Sequence, residues 1–331
     1  MEKAIAVVVS YNRQALLSEC ITALRNQTRP VDAILVVNNG STDNTELWLK
    51  DQEDVFFITQ KNIGSGGGFN TGISWAFKNG YSWIWCMDDD GYPKEDALQN
   101  LLEAPFDNLH LRNCAVINKE DKNSFVWKTG NFTKLEEVNS KYIHGFGHPF
   151  NGTLIHRTII ERVGLPRTEL FLWGDESEYL ERITTKNKIP VTTITDSIHY
   201  HPASAFSYKK DWEFTANWKM YYYVRNRFHT HQTHFGSKMR AFMSYGFFLA
   251  ALAGIILVYQ KTDKLKKLSF MVWPAADAFK NNFTQTPSTI MLRINKPQTK
   301  SFGNTVGGYL KNVTASIGEF FVTSERRTAN I

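Results

Sequence analysis

Four short apolar runs, each closed by a polar cluster, constrain this chain more than any other feature. Residues 4–10, 33–37 and 55–59 are rich in β-branched side chains, and residues 81–87 read Tyr-Ser-Trp-Ile-Trp-Cys-Met. Stretches with helical spacing at 16–24 and 45–49 separate the first three. Alternation at this pitch predicts βαβ units and a mostly parallel sheet. Ligands of such sheets bind at the carboxyl ends of the strands. The polar residues fall there: Tyr11-Asn12-Arg13, Asn38-Asn39-Gly40-Ser41-Thr42-Asp43, Asn62, and Asp88-Asp89-Asp90. Packing does not require four strands to end this way, so the pattern predicts one crevice.

The aspartate triplet carries the sharpest chemistry. Crowded carboxylates repel, and one keeps a proton unless a cation neutralises the group. A hard divalent ion, Mg²⁺ or Mn²⁺, suits oxygen ligands and shares its sphere with substrate phosphates. The competing account is a solvated acidic turn, since Gly91-Tyr92-Pro93 follows. Asn62-Ile63-Gly64-Ser65-Gly66-Gly67-Gly68-Phe69-Asn70-Thr71-Gly72 feeds a helix. Such a loop brings backbone N–H groups close to a phosphate or sugar, or simply packs a helix against a strand. It is neither a dinucleotide fingerprint, because Phe69 stands where Gly is needed, nor a P-loop, because no Lys follows its last Gly.

Trp173-Gly174-Asp175-Glu176 sets an aromatic face before a row of carboxylates. Asp175 at a helix start is favoured as an anion and suits a general base, or serves only as an N-cap. His199-Tyr200-His201 places two imidazoles on one strand face, where one is available to a metal. His229-x-His231-x-x-His234 sits in a basic, aromatic helical stretch and makes a weaker metal case.

With 331 residues the chain has room for one large or two medium domains. Cys20, Cys86 and Cys114 match no zinc spacing or disulfide framework, which favours a reducing compartment. The opening Met-Glu-Lys runs straight into strand-like residues with no long signal region, so secretion is not expected. Residues 1–205 carry 20 basic and 26 acidic side chains, and residues 206–331 carry 18 and 6. The C-terminal part is thus near +12, a charge that suits an anionic membrane surface or nucleic acid. Residues 241–259 are uncharged and just reach the length of a membrane span. Lys238 and Arg240 precede them, and Lys261, Lys264, Lys266 and Lys267 follow. Basic residues on both sides fit a single crossing poorly and an interfacial or re-entrant helix on anionic lipid better, with a buried core helix the next reading and a true span the last. The long apolar run also favours lipid over nucleic acid as the partner.

Val9-Ser10-Tyr11-Asn12, the run from Val37 to Asp43, the Gly-rich stretch, Asp88-Asp89-Asp90, Gly164-x-Pro166 and Trp173-Gly174-Asp175-Glu176 together resemble family 2 inverting glycosyltransferases of the GT-A fold. Tyr221-Tyr222-Tyr223-Val224-Arg225-Asn226-Arg227 points to the branch of bacterial galactofuranosyl- and rhamnosyltransferases. The resemblance covers roughly residues 3–230. It implies an α/β GT-A domain over 1–205, with a donor half to about 104 and an acceptor half beyond it. A helical, membrane-associating region with a loose tail then spans 206–331. It further implies that Asp88, Asp90 and His201 hold Mn²⁺ or Mg²⁺. Among the two histidines His201 is chosen because, in that branch, the metal histidine stands two or three residues before a serine. Ser10, Asn12, Asn38, Asn62, Gly66, Gly67 and Asp89 would line the donor site, Trp173 and Glu176 the acceptor site, and Asp175 would be the base. Relatives often carry Asp where Asn38 stands.

The activity implied is metal-dependent, inverting transfer of galactofuranose from UDP-galactofuranose to a lipid-linked or growing surface glycan. The enzyme would work at the cytoplasmic face of a bacterial membrane as a peripheral protein. A dTDP-rhamnose donor is the near alternative. A nucleotidyltransferase would carry a basic, Gly-rich signature after the first strand, which Ser10-Tyr11-Asn12-Arg13 lacks. A non-catalytic membrane scaffold with a GT-A shell is the remaining alternative.

Overall fold

A computed structural model describes residues 2–203, 210–213 and 218–295. The chain divides into two units, Met1–Phe171 with Asp175–Ser204, and Leu172–Gly174 with Ala205–Ile331. The loose tail expected from sequence lies outside the described residues.

The first unit opens with β1 (Ala4–Ser10), α1 (Gln14–Arg25), β2 (Ala33–Asn38), α2 (Thr45–Lys50), β3 (Val55–Thr59), α3 (Gly64–Lys78) and β4 (Trp83–Asp88). It continues with β5 (Tyr92–Pro93), α4 (Ala97–Glu103), β6 (Leu111–Asn118), β7 (Ser124–Thr129), β8 (Phe132–Lys134) and β9 (Tyr142–His144). It closes with β10 (Asn151–His156), α5 (Arg157–Val163), α6 (Asp175–Glu181) and β11 (Val191–His201). The main sheet runs β3-β2-β1-β4-β10-β6-β11-β5. Strands β1 to β4 pair in parallel, β10 lies antiparallel between β4 and β6, and β11 runs parallel to β6.

Strands β1, β2 and β4 are apolar up to their last residue, and both sheet faces are covered. Ala4, Ala6 and Val8 face Leu17, Ile21, Leu98 and Leu101 of α1 and α4. Ile5, Val7 and Val9 face Phe69, Ile73, Ile159 and Tyr179 of α3, α5 and α6. Gly68 and Gly72, one turn apart, let α3 settle onto β1. A Cβ at these positions would lie 2.5 Å from Val9 Cγ1 and 2.4 Å from Val7 Cγ1. Residues 105–150, irregular by sequence, supply β6 to β9, which extend the sheet beyond β10 and build its flanking hairpin.

The second unit contains α7 (Met220–Phe235), α8 (Lys238–Tyr259), α9 (Lys264–Phe279) and α10 (Pro287–Asn295). Phe228, Ala241, Tyr245, Ala275, Ala278 and Phe279 form its core. The Tyr245 hydroxyl donates to Val224 O at 2.9 Å and ties α8 to α7. Among the described residues only α8 is long and apolar enough to cross a membrane. It buries Ala241, Tyr245, Leu252 and Ile256, while Met239, Met243, Phe247, Leu257 and Val258 are exposed. One flanking cation departs from expectation. Lys267 is buried, its Nζ 2.9 Å from both Asp211 Oδ1 and Gln260 Oε1, so it serves packing rather than the surface.

Candidate active site

The pairing of β1 with β2 and β4 brings Ser10, Asn38 and Asp88 to one edge, where the four polar clusters interlock. Asn12, in a left-handed conformation (φ 55°), accepts from Thr42 N at 2.6 Å and donates its own N–H to Ser41 Oγ. Asn38, fully buried, accepts from Ser41 N at 3.1 Å and donates to Thr59 Oγ1 at 3.3 Å. Asn62 Oδ1 accepts from Gly64 N at 2.9 Å and fixes the turn into α3. These side chains hold the shape of the crevice whatever else they contact.

The triplet leaves β4 with its acids turned to different partners. Arg13 Nη1 lies 3.2 Å from Asp89 Oδ1 and 2.6 Å from Asp90 Oδ2, and Tyr11 N donates to Asp89 Oδ2 at 3.2 Å. His201 Nε2 lies 3.2 Å from Asp90 Oδ1, and its Nδ1 meets Pro202 O at 2.7 Å. Ligand atoms of Asp88, Asp90 and His201 all fall within 4.8 Å of one another. Burial first, then the charges of Asp90 and Asp89, push the Asp88 carboxyl far above the usual carboxylate range. Burial also acts to raise Asp90, but the His201 hydrogen bond and Arg13 hold it below that range. Asp89 is raised by burial, against the pull of Arg13.

Two carboxylates and an imidazole in reach of one point are a fitting donor set for Mn²⁺ or Mg²⁺. A cation there would offset the burial and the mutual repulsion that raise the Asp88 carboxyl. His199 is placed differently. It is fully buried, packs over Gly91 and beside Gly152, and has no hydrogen-bond partner among the described residues. Burial pushes its imidazole down to about 3, so it is neutral.

Asp175 opens α6 and is fully buried. Ser65 Oγ donates to its Oδ2 at 2.6 Å, while Oδ1 accepts no hydrogen bond. Burial, then the adjoining Glu176, raises its pKa well above the usual range. Gly66 lies against it, since a Cβ there would sit 3.1 Å from Asp175 Cβ. The Cα of Gly67 packs under Ile63. Trp173 belongs to the second unit, where its carbonyl accepts from Asn226 Nδ2 at 3.2 Å and its ring meets Tyr223 edge-on.

Residues 5–164 match the family described as Glycosyl transferase family 2. The chain carries a family 2 glycosyltransferase domain over these residues. The transferase is 28% identical over 222 residues to Galactofuranosyltransferase GlfT1 of Mycobacterium tuberculosis, covering 63% of this chain and 73% of the relative. S. aureus TarS superposes with a TM-score of 0.52 at 12% identity, over 95% of this chain and 54% of that longer one. The mannosyltransferase PcManGT of Pyrobaculum calidifontis, solved with GDP-Man and Mn²⁺, gives a TM-score of 0.50 at 16% identity, over 95% of this chain and 86% of that one. At such identities these two likenesses speak for the fold, which is GT-A.

Three residues join the transferase's crevice without a motif to announce them. Arg13 reaches Asp89 and Asp90 from the turn after β1, and the basic residue beside Asn12 was its signal. The Trp127 ring on β7 lies tilted, 5.2 Å from the His201 ring and 5.3 Å from that of His148. Nothing in its local sequence marks it, because the hairpin that carries it is placed only by sheet pairing. Ser65 was visible only as one member of the Gly-rich stretch.

Proposed function

We propose that this transferase moves a sugar, galactofuranose from UDP-galactofuranose in the first instance, onto a lipid-linked or growing surface glycan with inversion at the anomeric carbon. The grouping of Asp88, Asp90 and His201 carries the reading. Likeness to a protein named as a galactofuranosyltransferase supports the choice of donor, and a fold neighbour solved with Mn²⁺ supports the choice of metal.

Asp88, Asp90 and His201 would hold the divalent ion, which when bound acts as a Lewis acid toward the leaving diphosphate. Asp89, with Ser10, Asn12, Asn38, Asn62, Gly66 and Gly67, forms the donor wall, and Arg13 steadies Asp89 and Asp90. Trp173 and Glu176 serve the acceptor. Asp175 takes the proton of the acceptor hydroxyl as the new bond to the anomeric carbon forms. The old carbon–oxygen bond breaks in the same displacement, and its electron pair leaves with the nucleoside diphosphate. No covalent enzyme–sugar species is required, and attack from the face opposite the leaving group inverts the centre.

The exposed face of α8, with Lys238 and Arg240 before it and Lys261, Lys264 and Lys266 after it, suits an in-plane position on anionic lipid. The proposal is a peripheral enzyme at the inner face of the membrane, a reading that the basic flanks support.

Calorimetric titration of UDP and of dTDP, each with and without Mn²⁺, tests the reading. UDP is expected to bind only with metal, and Asp90→Ala and His201→Ala to abolish that binding while His199→Ala retains it. Preference for dTDP would move the donor to rhamnose. Failure of both nucleotides to bind folded protein would overturn the catalytic reading in favour of a scaffold.

A further inference from the structure

We infer that Ser65 is a positioning residue for the Asp175 carboxylate, and that the Gly-rich start of α3 exists in part to bring the two together. The inference rests on the reading of Asp175 as the base.

The geometry is specific. Ser65 Oγ donates to Asp175 Oδ2 at 2.6 Å, a short and direct contact. The approach depends on Gly66, where a Cβ would meet Arg167 O at 2.9 Å and Asp175 Cβ at 3.1 Å. The Gly66 N–H in turn donates to Phe171 O at 3.2 Å, which ties the start of α3 to the chain entering α6. The Ser65 contact thereby fixes how the buried Asp175 carboxyl is turned.

The groups facing Asp175 act in opposite directions. Glu176, on its own helix, favours the protonated acid by charge and by accepting a hydrogen bond from it. From α3, the Ser65 hydroxyl favours the anion, and neither Ser65 nor Gly66 is ionisable. The positive end of α3 adds to the Ser65 effect. From the segment before α6, Gly66 meets Arg167 through its carbonyl; the Arg167 guanidinium is paired with Glu169 at 2.8 Å. Ser65 thus keeps a carboxyl that burial and Glu176 would hold protonated within reach of the ionised state a base needs.

The test follows the protonated-carboxyl infrared band of Asp175 with pH, isolated as wild type minus Asp175→Asn. The same difference is taken in a Ser65→Ala background. Loss of a hydrogen bond to the charged form is expected to move the titration up by about one pH unit, a tenfold change in proton affinity. Ser65→Thr, which keeps the hydroxyl, is expected to restore the wild-type position. An unchanged titration in Ser65→Ala, with Mn²⁺-dependent UDP binding intact as proof of folding, would overturn the inference. Transfer from UDP-galactofuranose to a synthetic galactofuranoside separates the two ideas. Activity retained by Asp175→Asn removes the base role, whereas an inactive Asp175→Asn beside an unshifted Ser65→Ala removes only the role of Ser65.

Discussion

Asp175 shows how burial of a single acid bears on stability. Its folded pKa lies above its unfolded one, so between those values the native state binds more protons than the unfolded state. Stability contributed by the group is therefore present below the ordinary carboxylate range and lost as pH rises toward the folded pKa. Replacement by Asn removes that loss. Asp175→Asn is expected to melt a few degrees higher than wild type at pH 7–8, and to match it near pH 4. Scanning calorimetry at both pH values checks this; a variant that melts lower at pH 8 would contradict the buried-acid account. Burial likewise, followed by the charges of Asp90 and Asp89, raises the Asp88 carboxyl.

At the scale of elements, α3 is the piece on which the crevice depends. It packs on β1 through Gly68 and Gly72, and its first turn supplies Ser65 and Gly66 to Asp175. Gly72→Ala would add about 1 kcal/mol of helix propensity. The new Cβ, however, would lie 2.4 Å from Val7 Cγ1, on a central strand that cannot move aside. Overpacking of this kind costs about 1–3 kcal/mol, so a net loss is expected in urea unfolding. Val7→Ala removes the obstructing methyls, and the double variant should lose less than the sum of the single losses. Strict additivity would mean that α3 yields at this contact. Residues 4–10, 33–37 and 81–87 were legible as strands because both faces are apolar; a helix was legible beside the glycines, but α3 begins at Gly64 and takes them into its first turns instead of following them. The β7–β8 hairpin was not legible, because its short runs are weak as propensity and owe their place to pairing with β6.

For the molecule as a whole, charge and apolar surface coincide in the second unit. Its exposed Met239, Met243, Phe247, Leu257 and Val258 stand on one helix with lysines at both ends. Binding to phosphatidylglycerol-containing vesicles is expected, with affinity falling as salt rises. Phe247→Glu should weaken it roughly tenfold or more, since burial of an aromatic side chain contributes about 1.5–3 kcal/mol. Sedimentation with vesicles measures both. Equal binding to neutral and anionic vesicles would set aside the role of the lysines.

By itself the sequence determined the order of strands and helices as far as β4, the polar clusters at the strand ends and the long apolar helix. Each of these is written in local periodicity and in the residue types that end a strand. Tertiary structure decided what joins what. It set His201 beside Asp90 and His199 in a dry pocket, although the two are two residues apart on one strand. It drew Lys267 inside to Asp211 while its neighbours Lys261 and Lys266 stayed at the surface. It also brought Ser65 to Asp175 across 110 positions of chain. Such pairings depend on strand register and on how closely a helix can approach a sheet, and no local stretch of residues contains either.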